Sequence, residues 1–228
     1  MTSSRPATGH PAEPSAVPPP EGGGPEPPPR RRPGGRTARI RARVLDAVRV
    51  ELVEHGYDNL TVDTVAARAG VHRTTVYRRW RDVGGLLADV FDAAGDDDWQ
   101  PRDTGSLRGD LAALTHGIHA ALTEQPPVTA ALIAASFRSE EAARALRRFW
   151  EDRYARCEAV VRRAVRRGEV PPHTDARRLL VAATAPLYHQ LLLLRTPPDP
   201  HLPDHVAAST ALAATAGAFA EPAPRDDD

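Results

Sequence analysis

The sequence predicts an all-α protein. An N-terminal three-helix helix-turn-helix unit is followed by a larger C-terminal helical domain. Three observations predict it. From Thr37 onward, apolar residues recur at steps of three and four, the spacing that lines one face of a helix. No stretch of useful length alternates apolar and polar residues, as a half-buried strand does. Within Leu60 to Trp80, LTVDTVAARAGVHRTTVYRRW, two short helical segments meet at a tight Ala69-Gly70-Val71 corner, the connection of a helix-turn-helix.

The elements follow in order. Residues 1–35 are dominated by Pro, Gly, Ser and Glu, with VPPPEGGGPEPPPRRRPGG as the extreme. Such a stretch buries too little apolar surface to offset the entropy of ordering it, so a disordered arm is expected. Its PxxP-like spacing suits a linker better than a partner site. Its basic end, Arg30-Arg31-Arg32 with Arg36, is either a solvated charge run or an arm for a neighbouring minor groove. In the first helix Ile40, Val44, Ala47, Val48 and Leu52 make one apolar stripe, and Gly56 supplies the stop. Thr61 is the N-cap of the second helix, with Leu60 and Val65 placed as a hydrophobic staple. Val65, Ala66 and Ala69 face inward, and Gly70 gives the corner its backbone freedom. The third helix runs from about His72 to Trp80, with Val76 and Trp80 toward the core.

A fourth helix, from about Asp82, carries Leu86, Leu87, Val90 and Phe91 behind a weak Gly84-Gly85 start. The acidic stretch Gly95 to Asp98 and then Pro101 mark a boundary. Further helices are expected at about Leu107–Thr123, Val128–Phe137, Glu140–Arg167, Ala176–Leu194 and Asp204–Phe219. The pairs Pro126-Pro127, Pro171-Pro172 and Pro197-Pro198 separate several of them, and Pro186 should kink the one that contains it. The expected organisation is an arm (1–35), a helix-turn-helix domain (36–82), a ligand and dimerisation domain (83–221) and an acidic tail (222–228).

Composition limits the function classes. The chain has 228 residues, 41% of them hydrophobic, and a formal net charge of zero, which argues against a non-specific nucleic-acid coat protein. The charge is nevertheless polarised. Between Arg30 and Arg81 arginines far outnumber acids, whereas Asp96-Asp97-Asp98 and the tail Asp226-Asp227-Asp228 balance them later. A basic N-terminal module is what a DNA partner requires. All 30 basic residues are arginine. The single Cys157 excludes an intramolecular disulfide and a cysteine-based zinc site, and fits a reducing, cytoplasmic setting. No signal-peptide core is evident. The longest apolar run, Leu179 to Leu194, falls short of the roughly 20 residues that span a bilayer. No Gly-rich phosphate loop, nucleophile elbow or paired-carboxylate signature is present. A DNA-binding protein without a cofactor is therefore expected over an enzyme, or over a module that uses the corner for protein contacts.

The third helix presents Arg73, Thr74, Thr75, Tyr77, Arg78 and Arg79 on one short surface. The planar fork of Arg73 suits guanine O6 and N7, and Thr74 suits a thymine methyl or a base edge. Arg78 is placed for base or phosphate and Arg79 for phosphate. Thr61 brings the free N–H groups of the second helix to the DNA backbone.

TVDTVAARAGVHRTTVYRRW, preceded by a helix ending in HGYDNL, resembles the DNA-binding domain of TetR-type transcriptional regulators. The residues that carry the likeness are Thr61, Ala66, Ala69-Gly70-Val71, Thr75 and Tyr77. The later segment RRGEVPPHTDARRLLVAATAPLYHQLLL is similar, more loosely, to the penultimate part of that family's ligand and dimer domain. The resemblance implies a homodimer of two-domain, all-α subunits. It implies binding to a palindromic double-stranded operator, with release when an effector of small-molecule type fills the C-terminal domain. Thr75 and Tyr77 then anchor phosphates through their hydroxyls. The chain departs from the family in two places: His72 stands where Ser is common, and Val83 where a phosphate-touching Lys is common. Arg81 is expected to take over that contact.

The Leu179–Leu194 segment is apolar nearly all the way round and needs cover on both sides. A twin subunit would cover one, with Leu191 to Leu194, Val206, Leu212 and Phe219 forming a dimeric bundle. Leu146, Trp150, Tyr154, Cys157 and Val161 form a stripe on one long helix. By resemblance, His116, Phe137, Trp150, Tyr154, Cys157 and Tyr188 are candidate ligand-cavity residues, with ordinary core packing the alternative for each. A redox role for Cys157 requires an acidic, accessible thiol. The spacing of His116 and His119, with His189 elsewhere, is weak for a metal, and no metal site is expected.

Overall fold

The computed structural model describes residues 35–220. The expected N-terminal arm up to residue 34 and the acidic tail lie outside the described residues. Helix α1 (Gly35–His55) ends at Gly56, whose φ of 74° lies in the left-handed region. A 3₁₀ turn (Tyr57–Asn59) leads to α2 (Val62–Ala69). Thr61 caps α2 by accepting from Thr64 N at 3.0 Å, and Thr64 answers by accepting from Thr61 N at 3.1 Å. This is a reciprocal capping box with Thr in the place usual for Glu or Gln. Leu60 and Val65, the staple pair, are both buried.

The corner closes as a Schellman motif: Gly70 N donates to Ala67 O (3.1 Å) and Val71 N to Ala66 O (3.0 Å). Gly70 sits at φ 61°, ψ 42°. Helix α3 (Arg73–Trp80) then leads into α4 (Val83–Gly95).

Beyond them lie α5 (Leu107–Thr123), α6 (Val128–Ser136), α7 (Glu140–Arg166), α8 (Ala176–Tyr188) and α9 (Leu202–Thr215). Helix α7 is the spine. Ala142 and Ala145 near its start belong to the core built by α1 to α4, into which α6 also sends Leu132 and Ala135. Cys157, Val160, Val161 and Ala164 near its end belong to a second core with α5, α8 and α9. The apolar core thus crosses the boundary expected between residues 82 and 83, and the described residues from Arg36 onward form one compact unit.

Two helix ends differ from the sequence expectation. The helix expected over Ala176–Leu194 gives way after Tyr188 to a π-helical turn, His189–Leu193. Pro186 has no N–H to donate to the preceding turn, and the widened turn follows it. The last helix stops at Thr215 because Gly217 (φ 80°) closes it, donating to Ala214 O while Ala218 N donates to Ala213 O, 3.0 Å each. No helix among the described residues is long and apolar enough to cross a membrane.

Candidate nucleic-acid interface and effector cavity

Helix α3 buries Val76 and Trp80 and leaves the opposite face open. Arg73, Thr74, Tyr77, Arg78 and Arg79 are exposed there, with Thr75 half-buried at its edge. His72 proves a working cap: Nδ1 accepts from Thr74 N at 3.4 Å and lies 2.9 Å from Thr74 Oγ1. The Thr74 hydroxyl is therefore engaged at the helix start. Arg79 folds back over the Trp80 ring, 4.9 Å from its centroid. The side chains of Arg73, Arg78 and Arg81 make no hydrogen bond or ion pair with any described residue. Thr61 and Arg36 are also exposed, at the starts of α2 and α1.

Arg81 holds an unusual backbone. Its φ of 64° and ψ of −59° place it at the centre of a γ-turn, closed by Asp82 N donating to Trp80 O at 2.7 Å. For a residue with a side chain this conformation is strained. The turn also explains Gly85: a Cβ there would lie 2.1 Å from Trp80 O. The Gly84-Gly85 start, weak for a helix, is what lets α4 approach the end of α3 this closely.

The reading head is held by polar contacts that sequence spacing does not announce. Arg43 on α1 donates through Nε to Ala69 O (2.9 Å) and through Nη2 to Gly70 O (2.8 Å), placing a cation on the C-terminal carbonyls of α2. Buried Glu51 accepts from Arg68, tying α1 to α2. Asp89 on α4 is the hub. It accepts from Arg41 Nη2 (2.6 Å) and Nε (3.0 Å) on α1, and from the Trp80 indole (2.7 Å) on α3. Burial pushes the Asp89 carboxyl up, but the Arg41 and Trp80 hydrogen bonds outweigh it and hold it below the usual carboxylate range.

The other face of α4 borders a cavity of about 650 Å³, lined there by Val90, Phe91 and Ala94. This size is typical of small-molecule sites. Of the candidates from sequence, Trp150, Tyr154, Cys157 and Tyr188 line it. Trp150 packs edge-on against Phe149 and Tyr188, centroids 5.2 Å apart in each pair. His116 and Phe137 do not line it. His116 faces outward from α5 and pairs with Asp204 at 3.0 Å, and Phe137 sits on the exposed corner between α6 and α7, 78% exposed. The helical phase of α5 turns His116 away, and Phe137 follows the last residue of α6 instead of lying on its inner face. Sequence reasoning also missed Arg49 of α1, Phe149 and Arg153, which line the same space.

Burial raises the Cys157 thiol to about 11, against the lowering pull of Arg153 and Arg163. A buried thiol of that kind stays protonated near neutrality and is not the reactive thiolate of a redox sensor. Among the described residues no group of three or more His, Cys, Asp or Glu stands close enough to hold a metal. Val206 packs within the subunit, and Phe219 against the second core, so neither lies on an outer face as expected; Leu193, Leu194 and Leu212 are exposed.

Comparison with known proteins agrees with this architecture. Residues 44–90 match the family model "Bacterial regulatory proteins, tetR family", and residues 101–210 match "Tetracyclin repressor-like, C-terminal domain". The chain is 37% identical over 159 residues to the HTH-type transcriptional regulator AqdR of Rhodococcus erythropolis, covering 68% of this chain and 74% of that protein. It is 35% identical over 159 residues to the DNA-binding transcriptional repressor TetR of Mycobacteroides abscessus, covering 67% and 83%. Among solved structures, the TetR family transcription regulator SCO0332 superposes with a TM-score of 0.57 at 30% identity, covering 78% of this chain and 97% of that one. A transcriptional regulator of Pseudomonas aeruginosa PAO1 shares the fold, with a TM-score of 0.60 at 20% identity over 83% and 95%. With both of its halves matched, the chain belongs to the TetR family and is a helix-turn-helix transcriptional regulator that binds DNA.

Proposed function

We propose that the protein is a cytoplasmic, homodimeric repressor that leaves a palindromic operator when a small molecule fills its cavity. The observation that carries this reading is the double duty of α4. Val90, Phe91 and Ala94 border the cavity, while Asp89 on the same helix grips Arg41 of α1 and the Trp80 indole of α3. A ligand pressing on one face of α4 moves the carboxylate that positions the reading head. Interiors are close-packed, so such a displacement is transmitted and not absorbed.

On the DNA, Arg73 reads a base edge, with Thr74 beside it. Arg78 takes base or phosphate. Thr61, Thr75, Tyr77, Arg79, Arg81 and Arg36 hold the backbone. Two copies are needed, because one short helix offers modest specificity and two spaced by about one helical turn offer much more. Val181 and Ala185 on α8 and Leu212 on α9 are exposed apolar residues that a second copy covers.

The test is fluorescence anisotropy with a duplex drawn from upstream of the protein's own gene, with and without candidate effectors, beside sedimentation of wild type and Leu212→Glu. The reading expects salt-sensitive, sequence-selective binding by a dimer, loss of dimer in the variant, and release by at least one compound that raises the melting temperature. Binding only as a monomer, or no preference over random duplex, refutes it.

A further inference from the structure

The polar groups on the cavity wall are nearly all donors or cations. Arg49 lines the space from α1 and forms no ion pair with any described residue. Arg153 lies between the Trp99 and Phe149 rings, 4.9 Å from each centroid. Its Nη2 is held by Asp97 (2.7 Å) and Ala94 O (2.8 Å), while its buried Nη1 has no hydrogen-bond partner among the described residues. The Tyr188 hydroxyl has no hydrogen bond with any described residue, and burial pushes it up from its usual value, so it stays a donor. The Thr184 hydroxyl already donates to Leu180 O at 2.9 Å. The one acid on the wall, Glu124, has Oε1 occupied by Thr129 N and Oγ1 at 2.8 Å each. The Tyr154 hydroxyl lies 3.4 Å from Thr184 Oγ1 and the Cys157 thiol is buried; the rest of the wall is aliphatic or aromatic.

A buried donor without an acceptor is costly, and an acceptor brought by a ligand removes that cost. We propose that the cavity takes a largely apolar organic anion, a carboxylate or comparable weak acid on an aromatic-sized body, whose acidic group engages Arg49. This rests on the effector reading above and sharpens it. Arg49 shares α1 with Arg41, which grips Asp89 of α4, and with Arg43, which grips the helix corner.

The experiment is isothermal titration of the full chain with three matched probes: naphthalene-2-carboxylate, 2-naphthamide and 2-naphthylmethylammonium. Each is also scored for release of the upstream duplex. The carboxylate should bind about tenfold or more tighter than the amide, the size of one charge-assisted hydrogen bond, and the ammonium most weakly. Arg49→Gln should abolish the carboxylate preference while the amide's affinity stays within about twofold, and Arg49→Lys should restore part of it. Equal binding of carboxylate and amide, or a preference indifferent to Arg49→Gln, overturns the anion assignment. If the amide still releases DNA in that case, the effector reading stands without it. If none of the three binds, both fall together.

Discussion

Replacing Asp89 by Ala tests whether the hub on α4 positions the reading head. The substitution removes a two-pronged ion pair with Arg41 and the acceptor of the Trp80 indole N–H. The pair is partly exposed, 29% for the Arg41 side chain and 20% for Asp89. Solvent screening therefore brings its worth down to about 1–2 kcal/mol. The indole bond adds about 1 kcal/mol. The expected loss is about 2–3 kcal/mol, or a melting temperature lower by about 4–12 °C for a chain of this size. Arg41→Ala should show most of the ion-pair part, and a double-mutant cycle should return a coupling of about 1–2 kcal/mol. The loss also has a pH signature. A carboxyl held below its unfolded value contributes fully above about pH 4, and that contribution fades as pH falls through the lower folded value. The gap between wild type and Asp89→Ala should thus be constant from pH 5 to neutrality, at about the value above, and close in acid. Thermal unfolding by circular dichroism across that range measures it. A variant that melts within about a degree of wild type, or single effects that add without coupling, would falsify the hub.

Gly85→Ala places a Cβ 2.1 Å from Trp80 O; backbone must move, and urea denaturation should show a loss of about 2–4 kcal/mol. Arg81→Gly relieves the strained γ-turn and should raise stability by about 1 kcal/mol. The same change should lower operator affinity and reduce the salt slope of binding by about one. Arg73→Ala should relax base preference at one position by about 1–3 kcal/mol, whereas Tyr77→Phe should weaken all sequences alike. Selection from a randomised half-site separates the two, and identical loss of preference in both variants contradicts the assignment.

What the sequence disclosed and what it withheld divide along a physical line. Periodicity and caps are local, so the stripe from Ile40 to Leu52, the Thr61 cap and the Gly70 corner were legible. Gly217 carried a readable stop for the last helix that the apolar residues beyond it obscured. The contacts that hold the reading head join residues distant in sequence: Arg43 to Ala69, Arg41 to Asp89. Nothing in a linear pattern distinguishes those arginines from solvated ones. The cavity was legible along α7, where Trp150, Tyr154 and Cys157 share a face, and at Tyr188 on α8. Arg49 escaped because its own helix reads as part of the DNA-binding unit. Gly85 read as a weak helix start because its reason is an oxygen atom from the preceding turn.

The net charge of zero also becomes intelligible once pairing is considered. In the body of the molecule arginines and acids neutralise one another locally: Arg148 with Asp92, Arg153 and Arg156 with Asp97, Arg163 with buried Asp110. The acids that follow α3 in the chain are occupied elsewhere. Asp82 caps α4 by accepting from Gly85 N at 2.9 Å, and Asp89 faces Arg41 and Trp80. Arg73 and Arg78 on the exposed face of α3, and Arg81 just after it, are left without a counter-charge among the described residues. A field that attracts phosphate therefore arises in a neutral chain from where its acids are engaged, and not from how many it has. The same sorting operates in the cavity, where Asp97 pairs with Arg153 and no acid among the described residues pairs with Arg49. On the reading proposed above, ligand and DNA draw on arginines left unpaired by the same sorting, Arg49 on α1 and Arg73 and Arg78 on α3.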